Sequence, residues 1–125
     1  MHLTAWTTLA ILAVYCWTGF NAGRARTTYK VPAPSMEGPA PFQAAQRVQA
    51  NTLEQLPIVL APLWLCAMFV GDRWAAAGGL LWCAGRILYA LGYYQAPARR
   101  EAGFIVGMVA CGLLIAGAMW GLLMQ

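Results

Sequence analysis

Residues 42–71, FQAAQRVQANTLEQLPIVLAPLWLCAMFVG, read as one helix made of two unlike halves. The second half is apolar. The first carries Gln43, Gln46, Arg47, Gln49, Asn51 and Glu54. At 1.5 Å per residue the run is roughly 44 Å long, against a bilayer hydrocarbon core of about 30 Å. The polar half is therefore expected near the membrane interface and inside a bundle. Pro41 suits a helix's first turn. Pro57 and Pro62 each remove a backbone hydrogen bond and are expected to bend or loosen the helix.

Three further apolar segments flank this one, at residues 3–23, 74–95 and 102–124. Each is long enough to cross the core. Between them lie a proline-rich loop (Arg24 to Pro41), a tight turn at Gly71-Asp72-Arg73 and a second turn from Ala96 to Arg100. The chain is 61% hydrophobic and 10% charged, whereas soluble domains are about 25% charged. Together these features predict an all-α membrane protein, a bundle of four transmembrane helices forming a single domain over residues 1–125. Gly103 with Gly107, and Gly117 with Gly121, have the small-x-x-x-small spacing that lets helices pack closely.

Charge placement gives an orientation. Arg24, Arg26, Lys30, Arg99 and Arg100 fall on the side of the first and third loops, and Arg73 falls on the other. Basic loops favour the cytoplasm, so both termini are expected outside. The net charge of +4 is thus read as topology rather than nucleic-acid binding. No basic region precedes the first apolar run, so it is expected to persist as a helix and not to be a cleaved signal. Cys16, Cys66, Cys83 and Cys111 each sit within an apolar run without C-x-x-C spacing, which predicts neither a disulfide framework nor a zinc site. With His2 as the single histidine, a metal centre is not expected.

Two groups of polar residues stand out against this background. Arg47, Asn51 and Glu54 are spaced i, i+4, i+7 and share one helix face. That stripe reads either as a binding surface or as a polar helix end meeting water. Arg86, Tyr89 and Tyr93 are spaced i, i+3, i+7 and share a face of the third segment. Arg86 lies mid-membrane, where a charge needs a partner. Of the acids available, Glu54 is the expected one, so an Arg86–Glu54 ion pair is predicted, either structural or serving a site. Arg99 and Arg100 read as topology markers or as site residues.

The motif Arg47-x-x-x-Asn51-x-x-Glu54 ahead of Pro57, joined to Arg86-x-x-Tyr89-x-x-x-Tyr93 and the basic turn after it, resembles the MAPEG family, the membrane-associated proteins in eicosanoid and glutathione metabolism. The resemblance covers nearly the whole chain. It implies a homotrimer that binds glutathione between subunits near the cytoplasmic side. It also implies that Arg26, Arg47, Asn51, Glu54, Arg86, Tyr89 and Tyr93 hold glutathione and that Arg100, or its neighbour Arg99, activates the thiol. The implied activity is a membrane-bound glutathione transferase acting on apolar electrophiles that enter from the bilayer, with peroxidase activity toward lipid hydroperoxides and a role in detoxification. Thr27 stands where the leukotriene-forming branch has a second arginine, which favours a general transferase. The short length matches bacterial members, implying a bacterial inner membrane. The alternative within the family is a non-catalytic lipid-binding or scaffold protein. A small drug exporter fits poorly, because the first segment contains no acid.

Overall fold

In the computed structural model, which describes residues 1–125, four long helices carry nearly the whole chain. They are α1 (His2–Tyr29), α2 (Ala40–Phe69), α3 (Asp72–Gln95) and α4 (Glu101–Leu123), with a single 3-10 turn at Pro97–Arg100 between the last two. All four are long and apolar enough to cross a membrane. Many large apolar side chains, among them Trp6, Phe20, Trp74, Ile105 and Leu123, are exposed on the outside of the bundle. Lipid is the solvent that such a surface requires.

The helix ends follow from local chemistry, and several differ from expectation: the end of α1, the start of α3, and both ends of α2, each two residues before the expected 42 and 71. α1 runs six residues past the expected Gly23, so Arg24 and Arg26 lie on a helix instead of in a loop. Thr27 and Thr28 are weak helix formers but nothing from Arg24 to Tyr29 blocks a helix, and Pro32 is what forbids continuation. The helix closes on Lys30, in the left-handed region with φ of 56°, whose N–H donates to the Arg26 carbonyl. α2 carries Pro41 in its first turn, where the missing N–H costs nothing, and it stays helical through Pro57 and Pro62. α3 starts two residues before the expected Trp74. Gly71, at φ of 152°, makes the reversal that other residues rarely adopt.

Packing places α1 against α2 and α3, and α4 against α3 and α2, with α2 and α3 in contact across the middle. The core at this centre includes Ile11, Val59, Leu63, Trp82, Ala110 and Leu114. The glycine spacings act as anticipated. A Cβ on Gly103 would strike the Tyr89 backbone, and one on Gly121 would lie 2.7 Å from the Phe69 carbonyl oxygen. Gly85 and Gly107 meet backbone to backbone, so α4 lies directly on α3.

Polar contacts fix the remaining interfaces. The Asp72 carboxylate accepts the Leu3 N–H at 3.0 Å, the Thr4 N–H at 2.8 Å and the Thr4 hydroxyl at 2.6 Å. It caps the start of α1 from the start of α3, supplying partners for N–H groups that a helix leaves free. The Gln46 amide donates to the Ala22 carbonyl at 2.8 Å and ties α2 to the far end of α1.

Candidate functional site

The stripe on α2 and the face on α3 meet in one recess of about 510 Å³ at the end of the bundle that holds the basic loops. α2 contributes Arg47, Ala50, Asn51 and Glu54; α3 contributes Tyr89 and Tyr93; Arg100, Glu101 and Phe104 close it from the 3-10 turn and the first turn of α4. The α2 residues are spaced i, i+3, i+4, i+7, which puts all of them on one face. Arg47 and Glu54 are exposed to the recess, and Asn51 is half-buried at its floor.

Below that floor the side chains are tightly ordered. Arg86 is 1% exposed. Its Nη1 donates to Asn51 Oδ1 at 2.7 Å, and its guanidinium lies 4.2 Å from the centroid of the Tyr89 ring and 5.7 Å from that of Trp82. The Tyr89 ring meets Tyr93 edge-on, with centroids 5.7 Å apart, and tilts toward Phe104 at 6.4 Å. At the rim, the Arg100 guanidinium lies 5.3 Å from the Tyr93 ring centroid. Two arginines thus sandwich the tyrosine pair, one buried and one open to the recess.

The predicted Arg86–Glu54 ion pair is not formed. On the antiparallel helices Asn51 is level with Arg86, while Glu54 lies almost a turn beyond and opens to the recess. An amide oxygen and two ring faces accommodate the buried guanidinium without desolvating a carboxylate, which would be expensive. Arg86 is therefore beneath the recess and does not line it.

The other expected site residues divide. Arg99 turns away and donates to Gln95 Oε1 at 2.5 Å, while Arg100 lines the recess. Arg26 is remote from it. Its guanidinium donates to the Ser35 carbonyl at 2.8 Å and reaches Met36 Sδ at 3.4 Å, and it lies 5.5 Å from the Phe42 ring centroid. Within one chain Arg26 thus organises its own loop.

Sequence reading overlooked Phe104 and Glu101, although Phe104 stands four residues after Arg100 and three after Glu101, the spacings that share a face. It also overlooked a buried polar layer one turn deeper. Gln55 Oε1, Trp82 Nε1 and Arg86 Nε are buried without a partner in the chain. Gln55 and Trp82 follow Asn51 and Arg86 by four residues in opposite directions on antiparallel helices, so they share a level.

Chemically, the recess offers two exposed guanidiniums, two carboxylates, an amide and two phenols. Guanidiniums match carboxylates in bidentate geometry, a carboxylate matches an ammonium, and a cation beside sulfur favours thiolate.

Comparison with known proteins places the chain in a family. The family model described as "MAPEG family" matches residues 4–120. An uncharacterized protein of Synechocystis sp. is 46% identical over 84% of this chain and 77% of its own length. Microsomal glutathione S-transferase 2 of Mus musculus is 33% identical over 82% of this chain and 69% of its own. Leukotriene C4 synthase of Bos taurus is 32% identical over 97% of this chain and 81% of its own. The family match spans all four helices and every residue that lines the recess, and on that ground this multi-pass membrane chain belongs to the MAPEG family.

Proposed function

We propose that the protein is a membrane-bound glutathione transferase that joins the glutathione thiolate to apolar electrophiles arriving from the bilayer. The observation that carries this reading is the convergence of Arg47, Asn51, Glu54, Tyr89, Tyr93 and Arg100 on one recess. Two of the relatives bear names that include glutathione S-transferase and leukotriene C4 synthase.

Glutathione has two carboxylates, one ammonium and one thiol. Arg47 takes a carboxylate through its planar fork, and Glu54 receives the ammonium. Asn51, held by Arg86, and the Tyr89 and Tyr93 hydroxyls complete the cradle. Arg100, at the rim, is assigned to sulfur and Arg99 is not. A free thiol has a pKa of about 8.5 and is mostly protonated at neutral pH. The guanidinium charge stabilises the thiolate, and the thiol proton passes to water. The sulfur lone pair then forms a carbon–sulfur bond, and the leaving group departs with its electron pair. Phe104 and the exposed apolar flank of α4, next to Arg100, suit a lipophilic partner. Reduction of lipid hydroperoxides by the same thiolate, with a second glutathione closing the disulfide, belongs to the same proposal.

Assembly as a homotrimer is part of this reading, with Arg26 serving the recess of a neighbouring copy. So is an inner-membrane location with the recess facing the cytoplasm, which the basic residues at that end favour.

The test is thermal. The protein is purified in detergent and melted with and without millimolar glutathione. Glutathione should raise the melting temperature of the parent, since a ligand that binds only the folded state stabilises it. Glu54→Ala should abolish the rise. Arg100→Ala should keep most of it and lose conjugation of a chlorodinitrobenzene electrophile. A parent indifferent to glutathione would support the non-catalytic alternative instead.

A further inference from the structure

A second recess lies in the groove between α1 and α3, with Pro41 and Ala45 of α2 at its edge. It has a volume of about 420 Å³, is walled by Trp17 and Tyr94, and shares no residue with the candidate site. Its polar groups are Asn21, Arg24, Thr28 and the hydroxyls of Tyr29 and Tyr94. Asn21 Nδ2 donates to the Tyr94 hydroxyl at 3.2 Å, which leaves that hydroxyl's own proton free to donate. The Thr28 hydroxyl donates to the Arg24 carbonyl at 2.9 Å, leaving oxygen lone pairs facing out. The Arg24 guanidinium is exposed and makes no hydrogen bond within the chain. No acid lines the recess.

The groove continues toward the bilayer centre. A smaller recess of about 230 Å³ adjoins the first through Trp17 and is otherwise lined by Ala13, Val14 and Ile87. From Arg24 to Ala13 is eleven residues along α1, about 16 Å, or roughly half the hydrocarbon core. The slot is therefore polar and cationic where α1 leaves its uncharged run, and wholly apolar one leaflet deep. That polarity profile matches one lipid, with a headgroup at Arg24 and an acyl chain along Trp17 and Val14.

We propose that this groove is a binding site for an anionic glycerophospholipid. The phosphate sits on the Arg24 guanidinium, the second Asn21 amide hydrogen and the Tyr94 hydroxyl donate to the glycerol ester oxygens, and the Thr28 oxygen accepts from a headgroup hydroxyl. The absence of an acid from the lining selects the lipid class. A choline or ethanolamine ammonium would find no carboxylate, whereas a headgroup with net negative charge keeps its full attraction to the cation. Trp17 and Tyr94 are edge-to-face at 6.2 Å and form the boundary between the polar and apolar parts, the position aromatic side chains favour at a membrane interface.

Native mass spectrometry of the full-length protein in detergent tests this. The probes are phosphatidylglycerol and phosphatidylcholine with identical acyl chains, and inorganic phosphate. The parent should retain phosphatidylglycerol about fivefold more than phosphatidylcholine, the preference one interfacial cation provides. Arg24→Gln should abolish the preference, whereas Arg73→Gln, at the other end of the bundle, should keep it. Ala13→Trp, which fills the apolar end, should weaken both lipids with Arg24 intact. Conjugation activity should be the same in Arg24→Gln as in the parent, since the groove and the candidate site share no residue. Equal retention of the two lipids, or a preference that survives Arg24→Gln, would overturn the proposal. Displacement of phosphatidylglycerol by millimolar inorganic phosphate would reduce the site to an anion subsite and overturn the lipid assignment.

Discussion

Arg86 is fully buried in the middle of a membrane helix and is matched with an amide, not an acid. Removing that amide leaves Nη1 unpaired in a dry interior, which costs about 2 kcal/mol for a charged donor. Asn51→Leu should therefore lower the melting temperature in detergent by several degrees even without ligand. Gln55→Leu, one turn deeper, removes an oxygen that has no partner and should leave stability unchanged or raise it. Comparing the two melting curves separates a supporting amide from an unsatisfied one. Counting charges alone assigned Arg86 to Glu54, because a census of acids overlooks aromatic faces and amides as partners for guanidinium. The stripe of Arg47, Asn51 and Glu54 was legible because helical spacing is geometric. The choice between Arg99 and Arg100 was not, because a 3-10 turn of four residues sends adjacent side chains in directions no periodicity reveals. With Arg100 placed on the recess, the proposed thiolate role has a pH signature. A cation that stabilises thiolate lowers the thiol's pKa, so conjugation by the parent should persist at pH values where free thiols are protonated. In Arg100→Ala the midpoint of the rate profile should move up toward about 8.5, and the rate at neutral pH should fall about a hundredfold. An unmoved midpoint would remove Arg100 from the sulfur.

At the scale of elements, the position of α4 decides whether the recess exists. Arg100, Glu101 and Phe104 reach Tyr89 and Tyr93 because Gly103 lets α4 lie on the α3 backbone. Gly103→Ala puts a methyl group where the Tyr89 backbone already is, and rigid backbones have no flexible end to yield. The helix must shift outward, carrying the recess wall with it. This variant should melt lower than the parent and lose the stabilisation by glutathione. Gly112→Ala is the control on the same helix: nothing lies within 4 Å of the new methyl, and alanine is the better helix former by about 1 kcal/mol. It should match or exceed the parent, and thermal melts with and without glutathione check both. The glycine spacings were readable from the sequence since small residues four apart have few other uses in a membrane helix. The true end of α1 was not. Gly23 resembled a terminator, but a helix ends where hydrogen bonds or proline stop it, and the chain offers its first such obstacle at Pro32. The clasp of Asp72 on Leu3 and Thr4 was equally hidden, because a cap donated across two helices leaves no local spacing to detect.

For the whole molecule, the asymmetry of the two ends sets the terms. The four membrane spans follow from apolar length, and composition alone required lipid around them. How copies assemble is not written in the length of a span, and Arg26 is where the proposed homotrimer becomes testable. In its own chain this arginine serves the first loop, through Ser35 and Met36, at a distance from the recess. If it also completes a neighbour's recess, each site draws Arg26 from one copy and Arg100 from the next. Arg26→Ala and Arg100→Ala proteins, each inactive alone, should then rescue one another when coexpressed. In a ring of randomly mixed copies, a site is intact only when one chain keeps Arg100 and the adjacent one keeps Arg26, which happens about a quarter of the time. Conjugation by the mixture should recover to about that fraction of the parent's rate, an outcome no single-chain site can produce. A mixture as inactive as its parts would confine Arg26 to its own loop, and the shared site would have to be abandoned while the recess on each chain stood.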